Sequence, residues 1–254
     1  LSDYITGEIT ANNFSINKNV ILNDNENIGL TQGDDTTKNV FVNNGSTLTG
    51  FDGTNKYNNG ITVADGYTVN LTGSENASME NFITALEVNN GGSLNVTDMN
   101  FSNNTTDIAN NGTLNLAGNN TLASGIEGNG ATNISGTTTN NGTITQSIVS
   151  IAEGATLNTD ASGLIASAGV VNSGTLELTG GAVQSNITGN GTLSILDNIT
   201  NDKTITQAIN IANDKTLTNN GILNTTIALG TNQTIDGNGT LNLTGTSINE
   251  GSIT

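Results

Sequence analysis

Apolar side chains alternate with Thr, Asn and Ser in short runs along much of the chain: Thr113-Leu114-Asn115-Leu116, Thr175-Leu176-Glu177-Leu178 and Thr240-Leu241-Asn242-Leu243. A period of two puts one set of side chains on each face of a strand. The pattern therefore predicts many short β-strands with one apolar face each. Helix is disfavoured throughout, because Asn, Thr and Gly are poor helix formers. The most helix-tolerant stretch, Ser78 to Glu87, also reads as extended chain.

The strands are punctuated by a repeat. Asn-Gly occurs nine times, and most copies lead straight into a small strand, as in Gly112-Thr-Leu-Asn-Leu and Gly239-Thr-Leu-Asn-Leu. Asn and Gly both tolerate positive φ, so the pairs Asn111-Gly112, Asn141-Gly142, Asn190-Gly191, Asn220-Gly221 and Asn238-Gly239 are expected to form tight corners. A β-hairpin turn and a solenoid corner compete as readings. The spacing favours the solenoid. Motif glycines 91, 112 and 130 step by 21 and 18 residues, and 221 to 239 is again 18. A step near 20 suits one coil of a three-sided parallel β-helix. Steps of 12 fit a variable number of faces between copies. The runs 112, 130, 142 and 221, 239, 251 repeat the same two steps, as duplication of a block of coils would produce. The units Ile144-Thr-Gln-Ser-Ile148 and Ile205-Thr-Gln-Ala-Ile209 read as diverged copies of one coil.

The fold expected is all-β: a single continuous right-handed parallel β-helix over residues 1–254, of about 12 coils. At about 4.8 Å per coil it would form a rod roughly 60 Å long. Wider, decorated coils are expected over 1–88 and lean ones over 89–254. All eight aromatics precede residue 102. Core filling or capping is the ordinary account of them; a contact surface centred on Phe51, Tyr57 and Tyr67 is the sharper one. The segments Asn23–Asn27 and Gln32–Lys38 read as loops.

Composition then narrows the chemistry. Asn (46), Thr (42) and Gly (32) together fill 47% of the 254 positions, a bias that the coil pattern assigns to corners, outward strand faces and axial side-chain ladders. Pro is absent, as expected where every strand donates to its neighbours. Cys, His and Arg are also absent, which removes thiol chemistry, the usual zinc and copper ligands and the guanidinium fork. The net charge of -17 opposes contact with nucleic acid or anionic lipid. No apolar run is long enough for a membrane-spanning helix. The start lacks a basic and apolar leader, so a mature segment or fragment is expected. The five Lys are scattered, and Asp34-Asp35 is the one adjacent acidic pair, read as a solvated loop. No enzyme activity, cofactor or metal site is expected. Incidental calcium on the Asp34-Asp35 loop, polysaccharide cleavage by paired carboxylates and ice binding by Thr-x-Thr rows are minor readings.

The pattern Asn110-Asn111-Gly112-Thr113-Leu114-Asn115-Leu116, seen again at Asn238-Gly239-Thr240-Leu241-Asn242-Leu243-Thr244-Gly245, resembles the passenger domains of bacterial autotransporters and related large surface adhesins. The resemblance covers most of 89–254. It implies export, display on the cell surface and the right-handed helix hand. The alternating strands and aromatic girdles of a membrane barrel do not occur in this sequence. The function expected is non-catalytic adhesion or surface contact, with a host or neighbouring-cell glycan or protein as partner. The alternative is a subunit of an extracellular filament or biofilm matrix, built by end-to-end stacking of solenoids with copies of itself.

Overall fold

A computed structural model of the chain describes residues 3–5, 13–16, 20–22, 28–29, 37–42, 47–49, 61–74, 77–80, 86–102, 107–122, 124–159 and 164–254. Phe51, Tyr57, Asp34, Asp35 and the segment Asn23–Asn27 lie outside the described residues. Thr37 and Lys38, expected in a loop, open the strand Thr37–Val42.

The described residues hold strands and no helix, and every strand pairs parallel to its neighbours, stacked as a β-solenoid. One turn carries three strands. Ile108–Asn110 lies on a first face, Thr113–Ala117 on a second and Asn119–Leu122 on a third, and Ile126–Glu127 returns to the first face one turn on. On the second face, nine successive pairings lead from Thr68–Gly73 to Thr240–Leu243, so this stretch makes about nine turns. At about 4.8 Å each they stack to roughly 43 Å. The step from one turn to the next is 25 residues at Asn70–Asn95, 20 at Asn95–Asn115 and 18 at Asn115–Asn133.

An 18-residue turn explains the repeat arithmetic. A step of 18 returns the motif to the same corner, and a step of 12 carries it two faces on. Gly112, Gly130, Gly221 and Gly239 all precede second-face strands, whereas Gly142 and Gly251 precede first-face strands. The two runs of glycines are therefore in phase. The two Ile-Thr-Gln units are not copies of one coil position. Ile144 pairs with Ile126 and Ile165 on the first face, and Ile205 pairs with Ile187 and Leu223 on the second. Nearly the same pentapeptide serves two faces because each strand needs only alternation.

The second and third faces merge into one 21-stranded sheet. The strands Asn186–Ile195 and Thr204–Ile211 run through the corner between them without a break. Their pairing shifts between Thr188 and Thr192, a bulge that lets the backbone bend while keeping its ladder.

Inward positions form columns. Leu94, Leu114, Val149, Val170 and Leu223 line the second face, and all are at most 1% exposed. Burying one such side chain contributes about 1.5–3 kcal/mol. The column also takes Thr132, fully buried between Leu114 and Val149. Outward, Asn side chains form the axial ladder that the composition suggested. Asn70, Asn95, Asn115 and Asn133 each donate their amide to the Asn one turn earlier, at 2.6–2.8 Å, with Asn39 at the head. A second ladder runs from Asn242 through Asn224 to Thr206.

Candidate functional site

The corners are built by a residue that the sequence reading passed over. In Asn110-Asn111-Gly112, Asn110 points inward and is fully buried, while Asn111 is exposed. The Gly112 N–H donates to Asn110 Oδ1 at 3.2 Å, closing a small side-chain turn. Asn110 Nδ2 donates onward to Ala131 O of the next turn at 2.9 Å and to Gln146 Oε1 at 2.6 Å. Asn172 repeats the arrangement, accepting from Gly174 N and donating to Thr192 O. Asn201 shares the turn half of it, accepting from Lys203 N, and Asn219 the onward half, donating to Thr240 O. The signal was the Asn two positions before the glycine, hidden among so many others.

The corner glycines need a different explanation from the one expected. Gly112, Gly142, Gly191, Gly221 and Gly239 are absent from the residues with positive φ. Their constraint is space. A methyl on Gly112 would run into the carbonyl oxygens of Gly92 and Asn89, one on Gly191 into Gly174 O, one on Gly221 into Lys203 O and one on Gly239 into Gly221 O; at Gly142 it would meet Gly125 N. Successive turns approach so closely here that only hydrogen fits. The non-glycine members of the pairs, Asn111, Asn141, Asn190, Asn220 and Asn238, sit on the rim of the same corners.

Between the first and second faces Gly92, Gly112 and Gly130 stack. Register places Tyr67, Gly92, Gly112, Gly130 and Ser147 in one column. Beside this column lies a groove of about 400 Å³ lined by Asn90, Asn111, Asn129, Ser93, Thr113 and Ser147, among others. Every side chain named is an uncharged donor or acceptor. Tyr67 stands one turn before Gly92, part-buried and packed against the core. Phe101, by contrast, is core, 2% exposed.

A second hollow of about 290 Å³ lies at the corner between the second and third faces, beside Asp98, Asn100 and Asn119. Asp98 adopts a φ of 57° and its Oδ1 accepts the Asn119 N–H at 2.7 Å, so its carboxylate is committed to the turn. Among the described residues no group of three carboxylates could hold a metal ion. One ion pair is present there, Lys215 to Asp197 at 2.8 Å. The hydrogen bond from Lys215, with help from the Asn198 N–H and the Lys215 charge, holds the Asp197 carboxyl below the usual Asp range.

Comparison with known protein families, with curated proteins and with solved structures finds no match to the chain.

Proposed function

We propose that the chain is a non-catalytic, exported β-helix displayed on a bacterial cell surface, working by adhesion or surface contact. In this reading the solenoid is right-handed, continues to about 12 coils, and belongs with autotransporter passengers and large surface adhesins. One observation carries it: nine turns stack into a rod whose outward columns and corner groove present amides and hydroxyls in fixed rows, with the polar ladders satisfied along the axis. Such a surface is preorganised, so little side-chain entropy is lost on contact. Its partner is a neutral, hydroxyl-rich glycan or a polar protein surface, since a net charge of -17 repels anionic ones.

The test uses the full chain on a glycan array and in a cell-binding assay, alongside Tyr67→Ala, Asn111→Ala and Asn129→Ala variants. Binding that falls in these variants supports the reading. A chain that binds neither cells nor glycans sinks it, and cleavage of any polysaccharide in a panel overturns the non-catalytic part.

A further inference from the structure

The charges of this acidic rod are unevenly placed. The first face carries Glu87 and Glu127 at outward positions, and the third carries Glu177. The corners hold Asp65, Asp98, Glu153, Asp197, Asp202 and Asp214. The outward columns of the second face over 68–243 hold none. These two columns run from Thr68 to Thr240 and from Asn70 to Asn242. They contain only Thr, Asn, Ser, Ala, Gly, Ile and Val.

This face also carries exposed aliphatic side chains that no turn of the solenoid covers. Ile148 and Val171, 37% and 40% exposed, lie on adjacent turns midway along it, and Ile222 lies further on at 41%. In the Val171 column Asn115, Asn133 and Ser150 precede the pair and Thr188 and Thr206 follow it; in the Ile148 column Ala131 and Gly169 flank it, with Thr113 and Asn186 beyond. A central aliphatic cluster inside a polar, uncharged margin is the anatomy of a protein–protein interface.

We propose that the second face is a self-association surface, on which two copies of the chain pack side by side. Two arguments select a second copy as the occupant. Each rod carries -17, so two copies approach with least repulsion through the face whose outward columns hold no charge. The area also suffices. A face about 43 Å long and about 16 Å wide covers roughly 700 Å² per copy, or about 1,400 Å² in all, within the range of stable specific interfaces. Flat sheets pack face to face at about 10 Å, with outward side chains interleaved. A two-fold axis through the Ile148–Val171 cluster makes the contact isologous and closed, setting Ile148 of one copy near Val171 of the other. The inference is independent of the adhesion reading, because it concerns how two rods meet and not what a rod binds.

Sedimentation velocity of the purified chain over a range of concentration and salt tests it. A monomer–dimer equilibrium that shifts toward dimer as salt rises is expected, since salt screens the remaining repulsion. Val171→Asp is expected to weaken dimerisation by at least about tenfold, as for a central interface residue. Thr139→Asp on the third face adds the same charge and leaves it nearly unchanged. The chain has no Cys, so single cysteines report position directly. Ser150→Cys is expected to give a covalent dimer on mild oxidation and Thr139→Cys to remain monomeric. A chain that stays monomeric at millimolar concentration and high salt overturns the proposal. So does a dimer equally sensitive to both Asp substitutions, or one whose maximum dimension in solution scattering is twice the monomer's.

Discussion

Asn201 donates its side-chain amide to Asn219 Oδ1 at 2.8 Å, across one 18-residue turn, and both side chains are buried. Asn219 in turn donates to Thr240 O at 3.1 Å, so two side chains tie three turns together inside the rod. Replacing Asn219 with Ala takes one of two acceptors from the Asn201 amide, which keeps Lys203 O at 3.0 Å, and removes the donor to the Thr240 carbonyl. A loss of about 2–3 kcal/mol is expected, from the two hydrogen bonds lost. Asn220, its exposed neighbour, should cost less than about 0.5 kcal/mol on the same change. Denaturant unfolding of the two variants checks the contrast.

The glycines divide into two physical kinds, and alanine substitution separates them. Gly221→Ala forces a methyl against Lys203 O of the previous turn, so a loss of about 1–3 kcal/mol is expected from overpacking. Asn at this position should be no better, since the clash is at Cβ. Gly154 has a φ of 77° and open space around it. Gly154→Ala should cost about 1–2 kcal/mol from the left-handed backbone alone, and Gly154→Asn should recover part of that. Equal recovery by Asn at both sites would refute the distinction.

That distinction marks where the sequence stops being readable. Strand phase, parallel stacking and the three-sided turn were legible in Thr113–Leu116 and its relatives, because alternation and an 18-residue step are properties of the chain itself. The reason for Gly112 was not, because close approach between turns depends on atoms some twenty residues away. The buried role of Asn110 was hidden for the same reason: its acceptor is Ala131 O. The Ile144 and Ile205 units read as copies of one coil because two pentapeptides that differ only at Ser147 and Ala208 fit different faces. The uncharged second face was therefore invisible until register gave each outward residue a column. Tyr67 joins the groove column, and Phe51 and Tyr57 lie outside the described residues.

The pair Asp197–Lys215 makes a pH-dependent contribution of predictable sign. Its carboxyl has a depressed pKa in the folded chain, so the stabilisation is present above the ordinary Asp value near 4 and is lost as pH falls through the depressed one. Lys215→Met is expected to lower the melting temperature slightly at neutral pH. The gap to the parent chain should close on acidification below the ordinary Asp value and shrink in high salt at neutral pH. A gap that widens on acidification would contradict the assignment.

Asn-Gly pairs deamidate when the glycine nitrogen attacks the Asn side-chain carbonyl, expelling ammonia before water opens the ring. In the rod these nitrogens are engaged: Gly130 N donates to Asn110 O at 3.0 Å, Gly221 N to Asn201 O at 3.0 Å and Gly239 N to Asn219 O at 2.8 Å. Peptide mapping by mass spectrometry after mildly alkaline incubation should find these corners intact in the folded chain. The same incubation in denaturant should convert them. Comparable conversion in both would show that the corner bonds give no protection.

The 18-residue turn also has a mechanical meaning. Strands lie across the axis, so tension applied at the two ends of the rod passes through the ladders in series, and the turns open one after another. Each opened turn replaces about 4.8 Å of rod with up to roughly 60 Å of extended chain. A rod built this way yields stepwise under a sudden pull and lengthens more than tenfold before any covalent bond is strained.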